Sequence, residues 1–144
     1  MQHDKIEESL IQAYKKTNYY VYYDSELIII NIGLKNQKLL KLFKDKKLTS
    51  ASIITAYNPF SEIKTEEQNS LAQLKLKESI VNSNLSFINA MGKDAQHKWP
   101  NEASYFIEDI TKIEAKKLGK EFNQNAIVWI GENIMPELVF CFQD

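Results

Sequence analysis

Hydrophobic residues recur along the whole chain, but their spacing changes from segment to segment. Ile6, Leu10, Ile11 and Tyr14 stand at helical intervals among Lys and Glu, which predicts a helix from Asp4 to about Thr17. Aromatic and β-branched runs at 19–23 and 27–32 follow, separated by Asp24-Ser25-Glu26, and together predict a hairpin. Gly33 ends it, and Leu39, Leu40, Leu42 and Phe43 among lysines predict a helix over 36–46. Residues 51–57 read as a buried strand stopped by Asn58-Pro59.

In Thr65-Glu66-Glu67-Gln68 the hydroxyl and the amide can each satisfy a backbone donor left over at a helix start. This capping box predicts a helix running to about Val81. Residues 85–90 and 103–107 read as strands, with a long loop over 91–101 between them. Thr111-Lys112-Ile113-Glu114 is a second capping box, and Gly119 is the expected C-cap of its helix, because glycine takes the left-handed conformation without steric cost. Residues 125–130 and 137–142 close the chain as a hairpin around Gly131-Glu132-Asn133. Hairpins at both ends with helical crossovers between them imply an α+β fold: a single mixed β-sheet with terminal hairpins and about four packed helices, in one domain over 1–144.

Composition narrows the chemistry. The 144 residues are 44% hydrophobic and 26% charged, enough to bury a core without disulfide staples. The N-terminus is acidic where a leader is basic, and no apolar run approaches the ~20 residues of a membrane span. Cys141 is the single cysteine, so an intramolecular disulfide is excluded. A cytoplasmic location without membrane contact is therefore expected. All 18 basic residues are lysine, so no planar arginine fork is available to clamp carboxylate or phosphate. The four glycines form no phosphate-cradling motif. His3, His97 and Cys141 lie far apart in sequence, so neither a metal nor a cofactor is expected. Cys141, between Phe140 and Phe142, reads as a buried inert thiol.

The net charge of −1 hides a local excess: residues 35–47 carry a net +5. Its ordinary reading is the solvated face of an amphipathic helix. The alternative is a non-enzymatic module that contacts a protein or nucleic acid through this helix. No aromatic or base-reading partner accompanies the stripe, so nucleic acid is not the expected partner.

Candidate site chemistry gathers at strand ends. Thr55-Ala56-Tyr57-Asn58-Pro59-Phe60-Ser61 carries a buried strand into a polar loop, where sheet proteins place ligand-contacting groups. Pro59 biases Asn58 towards extended backbone. Asn69 lies four residues beyond the Thr65 cap, on the same helical face. Glu66 and Glu67 complement the helix dipole there, so a neutral or cationic group suits this end better than phosphate. Trp99-Pro100-Asn101-Glu102-Ala103-Ser104 leads into another strand, and partial burial of Glu102 would fit it for acid/base work. Gln124-Asn125, before a further strand, adds amides that can orient a ligand. The bland alternatives are that Asn58 and Ser61 bond their own turn and that Glu102 is an exposed loop carboxylate.

Taken in order, the 55–61 segment, Glu67, Asn69, Trp99-Pro-x-Glu-x-Ser104, Leu118-Gly119 and Phe122-x-Gln-Asn-Ala126 resemble the bacterial domain-of-unknown-function family 3293. Ala13-Tyr14 and Thr17-x-Tyr19 resemble its opening. The resemblance implies that Asn58, Ser61, Asn69, Trp99, Glu102, Ser104, Gln124 and Asn125 are motif positions; it supplies no activity. The reading that follows is a pocket for a small polar ligand, nucleoside-like, with Glu102 as the catalytic acid/base. Thr55, Asn58, Ser61, Asn69, Trp99, Ser104, Gln124 and Asn125 would bind or orient the ligand. That pocket makes a geometric demand: the strands carrying Ser104 and Ala126 must both run antiparallel to the strand that ends at Thr55.

Overall fold

The computed structural model describes residues 8–143. The first helix, α1, runs Glu8–Lys15; the part of it predicted from Asp4, with Ile6, lies outside the described residues. Strands β1 (Thr17–Tyr23) and β2 (Glu26–Ile30) form the first hairpin. Its turn is only Asp24-Ser25, both at positive φ, the pair of conformations whose twist matches that of the strands. Then come α2 (Gln37–Lys46), β3 (Ala51–Ile54), α3 (Glu66–Asn82), β4 (Phe87–Asp94), β5 (Glu102–Glu108), α4 (Lys112–Glu121), β6 (Ala126–Ile130) and β7 (Pro136–Phe140). Asn36 caps α2 by accepting from the Leu39 N–H, and both capping boxes form in full at Thr65 and Thr111. Among the described residues, no helix is long and apolar enough to cross a membrane.

The fold is α+β with one sheet, ordered β2-β1-β4-β5-β3-β6-β7, and four helices. The sheet itself is antiparallel throughout rather than mixed. The helical crossovers do join parallel strands, β2 to β3, β3 to β4 and β5 to β6, but each such pair is separated by intervening strands, the last two by a single antiparallel one. Thus β5 sits between β3 and β4, and β3 between β5 and β6. Beyond the ladder the sheet curls, and the Gly33 N–H after β2 reaches the carbonyl of Pro136 on the opposite edge strand.

Alternation along the strands divides the core in two. Ile53, Phe106, Val128, Val21 and Ile30 face α2, which contributes Leu39, Leu42 and Phe43. Ile54, Ile107, Ile127 and Val139 face the other way, onto Leu76 and Ile80 of α3 and Ala115 of α4. Because both faces are covered, all four residues of β3 are buried, which accounts for its reading as a buried strand; Ser52 satisfies its hydroxyl on the Val128 carbonyl.

Two expectations are corrected. The long loop over 91–101 is shorter, because β4 continues to Asp94 and pairs Met91, Gly92, Lys93 and Asp94 with β1. Gly, Lys and Asp have little strand preference of their own, and the neighbouring strand overrides it. Gly119 is not the C-cap of α4. It lies inside the helix, where an added Cβ would meet Cys141 Sγ at 2.6 Å and Ile127 Cγ2 at 2.7 Å. The left-handed residue after α4 is Asn123 instead.

Candidate functional site

The face of the sheet that packs on α2 is not covered along its whole length. Towards one rim its residues become small: Ala90 and Gly92 on β4, Ser104 on β5, Ala126 on β6. Large side chains fill the α2 end and small ones the rim, which leaves a pocket of about 130 Å³. Protein interiors are ordinarily close-packed, so a void with room for about four water molecules is a built feature. Five strands present the same rim: the C-terminal ends of β3 and β4 and the N-terminal ends of β1, β5 and β6. The antiparallel relation demanded of β5 and β6 against β3 is therefore present. Helix α1, which has no fully buried residue, lies across the opening with Leu10, Ala13 and Tyr14 against the pocket.

The rim is knitted by side-chain amides. Asn58 Nδ2 donates to Glu102 Oε2 at 2.8 Å, while its Oδ1 accepts from Asn69 Nδ2 and from the Lys64 N–H, both at 2.9 Å. Asn69 Oδ1 in turn accepts from the Asn58 N–H at 2.9 Å. This closed set of bonds holds Asn58 left-handed, with φ 46° and ψ 61°, not in the extended conformation that Pro59 favours. Phe60 and Ser61 are also at positive φ. Three such residues in four, one of them a bulky Phe, store strain of the kind found at ligand-contacting segments.

Glu102 is half-buried rather than an exposed loop carboxylate. Its Oε2 also accepts from Trp99 Nε1 at 2.9 Å. Trp99 is placed there by Asp94, which accepts from the Gln96, Lys98 and Trp99 N–H groups and so folds the 95–101 loop. Those backbone bonds, the Gln96 one foremost, hold Asp94 below the usual carboxylate range. Burial pushes Glu102 the other way, above its ordinary value, and the bonds from Trp99 and Asn58 offset this only in part.

The remaining predicted residues fall around these. Thr55, Ser61, Ser104 and Gln124 line the pocket with Asn58, Trp99 and Glu102. Thr55 Oγ1 ends the β3 ladder by donating to the Ala103 carbonyl and accepting from the Tyr57 N–H, so the strand predicted over 51–57 stops at Ile54. Gln124 Nε2 donates to the Tyr57 carbonyl at 3.1 Å, and Ser104 Oγ to the Glu102 carbonyl at 3.1 Å. Asn69 and Asn125 do not line the pocket. They stand behind it, Asn69 on Asn58 and Asn125 donating to Ser61 Oγ at 3.0 Å. Tyr14, Thr17, Tyr19 and Asp94 are polar lining residues that the site reading missed, although the first three lie in the two fragments that resemble the family's opening. Burial pushes Tyr14 up to about 12, against hydrogen bonds from the Ser61 side chain and Ala126 backbone that pull it down, and it pushes Tyr19 higher still.

The lysines of α2 are largely engaged within the fold. Lys41 pairs with Asp45, Lys46 with Glu108 and with the face of Tyr23, and Lys38 Nζ lies 3.5 Å from the Leu27 carbonyl.

An α+β domain with a rim pocket around one held carboxylate is thus what the fold and site define. The chain belongs to the domain-of-unknown-function family 3293: the model of that family, described as a protein of unknown function, matches residues 54–127. The match runs from the end of β3 into β6 and contains every rim residue predicted from the sequence, while α1 and β1 lie outside it. No curated protein and no solved structure matches the chain.

A pH experiment reads the state of Glu102 directly. Tyr14 and Tyr19 are pushed up and stay neutral while Asp94 is held down, so Glu102 is the lining group whose shift lies towards neutral pH. Its folded pKa lies above the ordinary 4.5, so the folded state binds the proton more tightly than the unfolded one. The resulting stability is complete below 4.5 and declines as pH rises through the folded value. Glu102→Gln keeps an acceptor for Asn58 and Trp99 without the charge. Thermal melts of this variant should match the parent at pH 4 and exceed it at pH 7. A variant less stable than the parent at pH 7 would mean that the two donors outweigh burial.

Proposed function

We propose that this protein binds a small polar ligand of nucleoside-like size in the rim pocket, with Glu102 as the group that contacts it and exchanges protons with it. The observation that carries the reading is the Glu102 carboxylate, half-buried, held by two neutral donors on one oxygen, and without a cationic partner among the described residues. Such a group is costly to keep unless it meets something the fold does not itself provide. A raised carboxyl pKa also suits general acid/base work near neutrality, including hydrolysis of a bound substrate. Tyr14, Tyr19 and Trp99 offer flat faces to a ring, and Gln124 and Ser104 offer polar atoms to its edges.

The test is a thermal-shift panel of nucleosides and free bases on the purified protein, since binding to the native state raises the melting temperature by mass action. A concentration-dependent rise that disappears in Glu102→Ala supports the reading. A rise that survives in Glu102→Ala, or none across the panel together with no chemical-shift change in the rim residues, rejects it.

A further inference from the structure

The chemistry left unused in the pocket is one-sided. Every backbone N–H of the left-handed turn that could cradle an anion already has a partner: Asn58 N–H donates to Asn69, Phe60 N–H to the Asn123 carbonyl, and Ser61 N–H to the Asn58 carbonyl. Pro59 has none to give. Among the described residues no lysine lines the cavity and the two charged lining groups, Asp94 and Glu102, are both acids; the chain has no arginine. Asp94 is occupied by backbone donors from its own loop.

Acceptors, by contrast, remain. Both donors to Glu102 converge on Oε2, which leaves Oε1 without a partner among the described residues. Gln124 is fixed in orientation because its Nε2 lies against two carbonyls, those of Tyr57 and Phe122, so its Oε1 is the end left over. Around these acceptors stand Tyr14, Tyr19 and Trp99, whose ring faces attract a cation as well as an apolar body.

We infer that the ligand presents a cationic nitrogen group, an ammonium, guanidinium or amidinium, on a small flat or apolar body, and that Glu102 Oε1 receives it. The inference rests on the rim pocket being a ligand site and adds the charge class of what enters it. An anion would find no cationic donor there, only neutral hydroxyls such as those of Tyr14 and Tyr19, and would face Glu102. A neutral ligand would leave the carboxylate uncompensated, whereas a cation supplies the missing charge and the missing donors together.

The test uses three molecules of nearly equal shape: benzamidine, benzamide and benzoate. Binding is followed by the indole N–H signal of Trp99, which reports on the bond to Glu102. The other tryptophan, Trp129, donates to the Ile110 carbonyl away from the pocket and serves as the internal reference. Benzamidine should shift the Trp99 signal at millimolar concentration, with benzamide weaker by about tenfold or more and benzoate without effect. Glu102→Gln should remove most of the benzamidine response and leave that of benzamide. Benzamide or benzoate binding as tightly as benzamidine overturns the cationic class while leaving the pocket as a ligand site. If none of the three, and no nucleoside, moves the Trp99 signal, the ligand site fails with it.

Discussion

Replacing Asn58 by Ala is expected to be the most damaging single change at the rim, lowering stability by about 3–5 kcal/mol. The substitution strips a partner from Glu102 and leaves the Asn69 amide and the Lys64 N–H unsatisfied. It also forces an alanine into left-handed backbone, which asparagine tolerates far better. Asn58→Gly separates the two causes, because it relieves the backbone while losing the same bonds, and should recover about 1 kcal/mol. Asn58→Asp is nearly isosteric but sets a second carboxylate against Glu102 where the amide donor stood. The pair would then share a proton, so this variant should be stable in acid and lose stability towards neutral pH. Urea unfolding of the three variants at pH 5 and pH 7.5 checks all of this. An alanine variant within 1 kcal/mol of the parent would show that the rim network is dispensable to the fold.

Gly119→Ala is expected to cost about 1–3 kcal/mol, although alanine is the better helix former by about 1 kcal/mol. The added methyl enters contacts of 2.6 Å to Cys141 Sγ and 2.7 Å to Ile127 Cγ2, both in the buried layer under α4. Either α4 lifts from β6 and β7 or those side chains leave their rotamers. A double-mutant cycle with Cys141→Ala should show favourable coupling, since removing Sγ clears one of the two collisions. A stabilised Gly119→Ala protein would mean that α4 can shift without loss.

What could be read in the sequence follows from where the determining forces lie. The two capping boxes and the first hairpin are local: each is satisfied by residues within a few positions, so they appear in the structure as read. The second half of β4 is not local. Gly92, Lys93 and Asp94 become strand because β1 supplies the ladder on one side, and Gly92 also pairs with Glu102 on the other. Gly119 carries the same lesson, since its reason is a close approach by residues far away in sequence, not a turn. At the site, residue type and position at strand ends were enough to select Asn58, Trp99, Glu102 and Gln124. The left-handed turn at Asn58 was not legible, because it depends on bonds that Asn58 donates to Asn69 and Glu102, which exist only once α3 and β5 are docked. Nor did periodicity reveal that Tyr14 serves the pocket, because a tyrosine on an amphipathic helix reads as ordinary core.

The interleaved order of the strands has a consequence for how the chain reaches this state. Ile53, on an interior strand of the sheet, pairs with Phe106 on one side and Val128 on the other. During synthesis β3 therefore emerges with both edges bare and waits for partners encoded in the last third of the chain. Long-range pairing of this kind places folding in the slower, millisecond-to-second regime, with an apolar strand open to intermolecular pairing meanwhile. Lys44, Asp45, Lys46 and Lys47 lie a few residues before that strand. Charges beside an apolar strand oppose intermolecular pairing, so this cluster would help to keep nascent chains apart until β5 and β6 arrive.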